Sequence, residues 1–355
     1  MAGEFEEARS LARWGAAMAR GQINRRQLIQ RALVAGISMA SISATLASCS
    51  REDGGGGGSG GGGGPKVSKL GFSHPFPGTD IYRPLRKGLR EEASKLGVQI
   101  LESQAEGKAD LQVNEIRTWI ESGVQAIAVL NIAGEGLKPL VQQAHSKGVK
   151  MLGYGSHLDG EDAYTVFDNE QGAELVAAEA EKWINQNVPT GDVPIGLLTL
   201  DVLEVGKVRV HHALDTLKQR VPRVKVVGSA EGTNIAGPAQ EATRSMIQAH
   251  PEIRMMICIS DDGQVGAYQA LKAVGKEKDV WLAGYDGSRV AMKLLMDREM
   301  IGCTAAIPLK EIGASVVWVP YNLITGKTPT TFDAPYKLVT NDTPDVARQL
   351  IADFE

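Results

Sequence analysis

The sequence is short of the residues that build most catalytic and metal sites. It has 3 cysteines and 6 histidines among 355 residues. It contains no Gly-x-Ser-x-Gly elbow, no Walker loop and no His-Glu-x-x-His pair. His211 and His212 are adjacent, and adjacent helical residues point about 100° apart, so they cannot share a metal ion. These absences predict a protein that is not an enzyme, with no catalytic residues, no metal and no cofactor.

Excess positive charge and membrane-length apolar runs are missing as well. The net charge is -4, so no basic field favours nucleic acid or anionic lipid. The apolar run from Ala32 to Leu46 covers about 15 residues, fewer than the roughly 20 that a spanning helix needs. Such a run is typical of the apolar core of an export signal. The remainder of the chain is predicted to be a soluble body.

The residues around this run predict export and lipid anchoring. Arg25 and Arg26 precede it in a segment that resembles a twin-arginine signal, although an ordinary secretory signal with two arginines is an open alternative. The run ends in a lipobox-like Leu-Ala-Ser-Cys, so Cys49 is the predicted lipidation site. We therefore expect residues 1–48 to be the export signal, with Met1 or Met18 as its start. The location expected is the outer face of the cytoplasmic membrane, in a periplasm or at the cell surface.

A glycine-rich segment joins this leader to the body. Gly54 to Gly64 holds ten glycines around Ser59, a composition that favours a flexible coil. Residues 49–65 are therefore predicted to be a tether that starts at the lipidated cysteine.

The two remaining cysteines, Cys258 and Cys303, each fall in an apolar, strand-like run. Free cysteine behaves as a small hydrophobe in such surroundings, so two buried thiols are favoured. A disulfide in an oxidising compartment is the alternative that the sequence leaves open.

From residue 66 onward, short apolar runs alternate with amphipathic helical patterns. This alternation predicts an α/β fold in which two doubly wound parallel sheets follow one another along the chain. The predicted elements include the helices Tyr82 to Leu96, Gln264 to Val274 and Leu309 to Thr325, and the strand Gly302 to Ala306.

Ligands of doubly wound sheets bind beyond the carboxyl ends of the strands, so polar and aromatic residues just after strands are candidate ligand contacts. Hydroxyl-rich solutes need such groups, because each buried hydroxyl needs partners and a ring face can stack on a sugar. Aspartate after a strand is also a common helix N-cap. For Asp168 and Asp262, capping is at least as well supported as ligand contact. The candidates are His74, Phe76, Asp80, Tyr82, Tyr154, Ser156, His157, Lys207, Arg209, Asn234, Asp261 and Asp286.

Several stretches resemble the sugar-binding periplasmic-binding-protein family of the ribose-binding type. The most diagnostic are Ser260-Asp261-Asp262-Gly263 and Ala283-Gly284-Tyr285-Asp286-Gly287. The resemblance implies the type I fold, with two lobes joined by a hinge of three chain segments. It implies lobe 1 at residues 66–168 plus 308–331 and lobe 2 at 169–307 plus 332–355. It also implies a monomer that binds a small sugar or polyol and delivers it to an ABC permease.

The resemblance also assigns roles by position, and it has departures. Asp261 and Asp286 match ligand-contacting positions, Tyr82 matches a stacking aromatic, and Lys207 falls near an arginine that binds the sugar. Ribose binders carry Asp-Arg where this chain has Gly153-Tyr154-Gly155-Ser156-His157, and the glutamine expected near Ala306 is absent. These departures favour a hexose, another pentose or a polyol over ribose.

Two other functions share this fold. A receptor for a membrane sensor kinase or chemoreceptor has the same sequence features as a transport protein. A regulator of the lac-repressor type requires a basic helix-turn-helix before the body, and the leader and tether occupy that place.

Overall fold

A computed structural model describes residues 66–76, 78–103 and 105–355. The predicted export signal with Arg25 and Arg26, the lipidation site Cys49 and the tether lie outside the described residues.

The first part of the described chain builds a six-stranded parallel sheet. Its order is β2-β1-β3-β4-β5-β11, so β1 lies between the two strands that follow it in sequence. A single 3-10 turn, Gly134–Leu137, precedes the third helix. The elements are β1 Lys69–Ser73, α1 Tyr82–Leu96, β2 Gln99–Glu102, α2 Ala109–Glu121, β3 Ala126–Val129, α3 Lys138–Ser146, β4 Lys150–Gly155, β5 Ala163–Phe167 and, from late in the chain, β11 Thr331–Ala334.

A second six-stranded sheet repeats this design in the order β7-β6-β8-β9-β10-β12. All its strand pairs are parallel except β10 with β12. Helix α5 is continuous through Glu204–Lys207, Val208–His212 and Ala213–Arg220, and its middle stretch is π-helical. The other elements are α4 Asn169–Asn187, β6 Val193–Thr199, β7 Val224–Glu231, α6 Ala236–Ala249, β8 Met255–Cys258, α7 Asp261–Ala273, β9 Trp281–Asp286, α8 Arg289–Met296, β10 Gly302–Ala306, α9 Leu309–Thr325, β12 Lys337–Thr340, α10 Pro344–Ile351 and a 3-10 turn Ala352–Phe354.

The predicted fold class, α/β with two doubly wound sheets, is confirmed. The chain passes from one sheet to the other three times, after Phe167, after Ala306 and after Ala334. The bounds given to the two lobes stay a prediction.

Four elements occur with or near the expected bounds, and four others were missed. Helix α1, strand β10 and helix α9 have the predicted bounds, whereas α7 begins at Asp261, three residues before the predicted Gln264. Strand β9 continues to Asp286, so this aspartate ends the strand instead of following it. The pattern missed α8, β11, β12 and α10, all of which are eight residues long or shorter.

Side-chain caps fix where helices begin. Asp168 accepts a hydrogen bond from the Gln171 amide at the start of α4, which confirms the capping interpretation of this residue. At the start of α7 the cap is Ser260, whose Oγ accepts from the Gly263 amide. The capping interpretation of Asp262 is therefore wrong, and its carboxylate is available for another role.

Two glycines let α1 and α9 meet backbone to backbone. A Cβ added at Gly88 would lie 1.9 Å from the Lys310 carbonyl oxygen, and one at Gly313 would lie 1.9 Å from that of Leu85. Only glycine fits such an approach. Helix α9 is thereby fixed on the first sheet's side.

The hydrophobic core lies between the sheets and their helices. One buried cluster joins α2, α3 and the first sheet through residues that include Ile116, Ile127, Val129 and Leu140. Cys258 and Cys303 are free thiols and both are buried, as predicted. Ser68–Pro320 and Thr331–Glu355 form one compact unit, and Tyr321–Thr330 fall outside it. Among the described helices, none is long and apolar enough to cross a membrane.

Candidate functional site

A cavity of about 90 Å³ lies at the carboxyl ends of strands from both sheets. Leu130 follows β3, Leu200 follows β6 and Ile259 follows β8. These strands flank the positions where the strand order of each sheet reverses, which is where ligands of doubly wound folds bind. A space of this size holds several water molecules.

A buried ion pair between Arg209 and Asp286 is the strongest electrostatic feature of this cavity. The Arg209 Nη1 lies 2.8 Å from the Asp286 Oδ1, and both side chains are nearly inaccessible to solvent. Burial by itself lowers the pKa of Arg209, but the charge of Asp286 and contacts with Tyr336 outweigh it, so the pKa is raised. The guanidinium is therefore charged at any physiological pH.

Arg209 is held by neutral groups as well as by Asp286. Its Nε donates to the Asn169 Oδ1 at 3.2 Å, and Nη2 donates to the Tyr336 hydroxyl at 2.9 Å. Nη1 also donates to the Ile259 carbonyl at 3.3 Å. Asn169 and Tyr336 lie beside two of the three places where the chain passes between the sheets. The arginine thus connects the cavity with both passages.

Lys207 was predicted beside Arg209, but the structure places it elsewhere. Its side chain is about half exposed and pairs with Glu204 at 3.7 Å, away from the cavity. Residues two apart on a helix point about 200° away from each other, so only one of these two can face the cavity. The π-helical stretch Val208–His212 begins between them and adds one residue to a turn. Arg209, within this stretch, is the one that lines the cavity.

The first sheet contributes mainly aromatic rings to the cavity. Phe76, Tyr82 and Tyr154 line it, and the sequence had predicted all three. Burial and the negative charge of Asp286 raise the pKa of Tyr82, and burial likewise raises that of Tyr154, so both phenols are neutral donors. Neither hydroxyl has a hydrogen-bond partner within the described part of the chain, although both side chains are almost wholly buried. Phe167, which the sequence did not single out, packs edge to face on Tyr154 at 5.6 Å.

His74 supports this aromatic wall from behind and does not line the cavity. Its ring stacks on Tyr82 with centroids 4.2 Å apart. Burial and the charge of Arg86 lower the pKa of His74 to about 3, so the ring is neutral and packs as an aromatic group. In this structure His74 packs on Tyr82, and its contact with a ligand stays a prediction.

The structure separates two aspartates that the sequence treated together. Asp261 is fully buried, and its Oδ2 accepts from the Ser288 amide at 2.6 Å. Burial and the nearby Asp286 hold the pKa of Asp261 well above its usual range, which favours the protonated carboxyl. It lies behind the cavity wall and is not among the lining residues. Asp262 does line the cavity, and burial, Asp286 and Asp80 raise its pKa to about 6.

The other predicted contacts divide between the cavity and the surface. Asn234 lines the cavity. Asp80 lies in a wider groove at its mouth, 3.7 Å from the Arg289 Nε. His157 is two-thirds exposed and pairs with Glu161, and Ser156 is also absent from the lining. The chain turns away from the cavity after Gly155, where φ is +72°, so Ser156 and His157 are carried to the surface.

Apart from Phe76, sequence reasoning missed the apolar part of the lining. Of the eighteen described residues around the cavity, ten carry aliphatic or phenyl side chains. Apolar residues after strands are common everywhere, so no local signal marks these ones. They are Phe76, Ile81, Leu130, Phe167, Leu200, Leu203, Val205, Ile259, Ile307 and Leu309.

No group of three or more metal-ligating side chains is assembled among the described residues. The donor set at the cavity is instead phenol, amide, carboxylate and guanidinium. Such groups suit hydrogen bonding to an uncharged solute.

Comparison with known families identifies the chain. A family model described as the periplasmic binding protein domain matches residues 70–328. The match covers more than half of the chain, which therefore belongs to the periplasmic binding protein family. The resemblance seen in the sequence is confirmed. Because this is a family of binding proteins, the prediction that the chain is not an enzyme is confirmed as well.

Individual relatives are distant in sequence, but their similarity extends over most of this chain. The ribose import binding protein of Bacillus subtilis (strain 168) is 23% identical over 298 residues, which are 83% of this chain and 94% of that protein. The xylitol-binding protein of Mycolicibacterium smegmatis is 24% identical over 265 residues, 74% of each chain.

Solved structures agree with the fold. A solute-binding protein from Bacillus halodurans C-125 with bound myo-inositol has a TM-score of 0.72 at 21% identity, covering 82% of this chain and 99% of that one. One from Actinobacillus succinogenes 130z with bound D-allose has a TM-score of 0.69 at 19% identity, covering 79% and 99%. At these identities the likeness establishes the architecture.

Proposed function

We propose that this periplasmic binding protein takes up a small, uncharged sugar or polyol in the cavity between its two sheets. The observation that carries the proposal is the pair of phenols of Tyr82 and Tyr154, whose side chains are almost wholly buried, line the cavity and make no hydrogen bond within the described chain. Each phenol hydroxyl can donate a hydrogen bond to a solute hydroxyl and accept one from it. Relatives named for ribose and xylitol support the same class of ligand.

Charge at the cavity argues for an uncharged solute. Arg209 is already matched by Asp286, and Asp262 adds a second carboxylate without a further lining cation among the described residues. An acidic or phosphorylated sugar would bring its negative charge next to Asp262 at neutral pH, which is unfavourable. A neutral polyhydroxylated solute donates to these carboxylates and accepts from the two tyrosines.

The test is calorimetric titration of the purified chain against a panel of pentoses, hexoses and polyols. Tyr154→Phe and Tyr82→Phe remove only the hydroxyls and should each weaken binding by about 2- to 12-fold, the usual range for one neutral hydrogen bond. Tyr268→Phe is the matched control, because the Tyr268 hydroxyl bonds to Glu299 away from the cavity. If no sugar or polyol binds, the proposal is wrong.

We also propose that binding closes the two lobes through the three chain passages, and that an ABC permease recognises the closed form. The proposal includes the two lobes with the bounds predicted from the sequence, and a monomeric protein. Members named as ABC transporter components support it. Scattering should show a smaller radius of gyration with the solute present. Uptake of labelled solute should fail in cells that lack the chain, and persistence of full uptake would contradict the transport role.

We propose, finally, that lipid attached to Cys49 anchors the protein at the outer face of the cytoplasmic membrane. Labelled palmitate should be incorporated into the full chain and not into its Cys49→Ser variant. Labelling of both forms would place the lipid elsewhere. The Arg25-Arg26 pair is tested separately by Arg→Lys replacement, which should block export only if the twin-arginine route is used.

A further inference from the structure

Several polar lining groups that can bind a ligand, the phenols of Tyr82 and Tyr154 and the carboxylate of Asp262, lie close to Asp286. Tyr82 and Tyr154 both lie close enough to Asp286 for its charge to influence their ionisation. Asp286 pairs with Arg209 through its Oδ1. Arg209 is largely occupied by Asp286, Asn169, Tyr336 and a backbone carbonyl. The hydroxylated edge of a solute therefore belongs beside Asp286 and the two phenols.

A second part of the cavity offers a ligand no hydrogen bond at all from its side chains. The chain after β6 brings Leu200, Leu203 and Val205 to the lining, together with Ile259 from the end of β8. The absence of a side chain at Gly206 allows this closeness, because a Cβ there would lie 2.2 Å from the Leu200 carbonyl and 3.4 Å from the Ile259 Cδ1. We call these four lining residues the aliphatic patch.

The polar side chain that directly follows Ile259 of the patch in sequence is already occupied. Ser260 follows Ile259, but its hydroxyl donates to the Asn234 carbonyl at 2.9 Å and accepts from the Gly263 amide at 3.1 Å. A solute hydroxyl placed against the patch would lose its water and gain no partner from the four patch side chains, which is unfavourable. A methyl group in the same place is favourable, since burial of apolar surface is the main driving force there.

Resting on the function proposed above, we infer that the natural solute is a deoxy sugar, with its hydroxylated edge toward Asp286 and its methyl group on the aliphatic patch. The two halves of the lining match the two sides of such a molecule. A fully hydroxylated hexose of the same configuration carries a hydroxymethyl group in place of the methyl group. The hydroxyl of that group would lie against the four hydrocarbon side chains of the aliphatic patch.

Matched sugar pairs test this inference by calorimetric titration. The pairs are L-rhamnose with L-mannose, L-fucose with L-galactose, D-fucose with D-galactose, and 6-deoxy-D-glucose with D-glucose. The two members of each pair differ by one oxygen atom. In the pair that binds, the deoxy member should bind about 10- to 100-fold more tightly, the range over which an apolar pocket rejects an added hydroxyl.

A near-isosteric variant tests the placement of the methyl group. Val205→Thr adds a hydroxyl to the patch at almost constant volume, so it should reduce the preference for the deoxy sugar at least several-fold. Val202→Thr is the control, because Val202 lies in the same loop but is 76% exposed. Equal thermal unfolding midpoints of the two variants and the parent would show that folding is preserved.

The outcomes separate this inference from the proposed function. Equal or tighter binding of the hydroxylated members overturns it, as does binding of other sugars or polyols with none of the deoxy sugars, and in both cases the sugar-binding function stands. No binding of any sugar or polyol overturns both. An unchanged preference in Val205→Thr overturns the placement of the methyl group on the patch.

Discussion

Replacing Asp286 with asparagine removes the negative charge of the buried pair and almost nothing else. The side chain keeps its shape, and the backbone keeps a residue type that tolerates the positive φ of 103° found here. Arg209 is left in the interior without its counter-charge. Breaking a buried ion pair from one side costs about 3–5 kcal/mol.

The structure places the expected loss near the lower end of that range. Arg209 keeps its hydrogen bonds to Asn169, Tyr336 and the Ile259 carbonyl. Its guanidinium also lies over the ring of Tyr285 at 5.3 Å, which is a further favourable contact for a cation. We therefore expect Asp286→Asn to lower the free energy of unfolding by about 3 kcal/mol. That loss corresponds to a fall of roughly 6–12 °C in the unfolding midpoint.

Urea denaturation followed by circular dichroism measures this loss without ligand. The matched control is Asp342→Asn, because Arg298 and Asp342 also lie 2.8 Å apart but are about two-thirds exposed. An exposed pair contributes less than about 1 kcal/mol. Equal losses in the two variants, or a loss below about 1 kcal/mol in Asp286→Asn, would refute the reasoning from burial.

Three further predictions follow from burial and close contacts. Asp262 has its pKa raised to about 6 in the folded state, so the folded protein holds a proton that the unfolded chain releases near its ordinary value. Stability should therefore fall as the pH rises from about 4 to 6, and urea titrations of Asp262→Asn across this range should show a smaller fall; parallel curves would contradict this. Gly88→Ala should lower the unfolding midpoint, because the added methyl meets a backbone carbonyl, whereas Gly237→Ala meets nothing within 4 Å and should raise it slightly. Cys258 and Cys303 are fully buried, and burial raises the pKa of both thiols; a thiol reagent should label them only after unfolding, and labelling of the native protein would contradict the structure.

The sequence predicts the sheets well because their signal is local. Apolar runs such as Ala126–Val129 are buried on both faces, and the long amphipathic helix Tyr82–Leu96 repeats its pattern over several turns. Strands β11 and β12 have no such signal. Thr331–Ala334 and Lys337–Thr340 are four residues each and are defined by pairing with β5 and β10, which lie far away in sequence.

The candidate site is predictable only where side chains carry a chemical signal of their own. Tyr82, Tyr154 and Asp286 were found because polar and aromatic groups after strands are noticeable. The exclusion of Asp261 from the cavity depends on contact with Ser288, a residue 27 positions later. No spacing rule reveals such a contact, and the same is true of the apolar lining.

The π-helical stretch Val208–His212 has a consequence for how this cavity can change over evolutionary time. A substitution alters one side chain, but loss of a single codon here would return the helix to its regular repeat and turn its first residues by about 100° relative to the rest. Arg209 would leave Asp286, and another side chain of the same helix would replace it. A length change of one residue would thus exchange the side chain that faces the cavity while leaving both sheets unaltered.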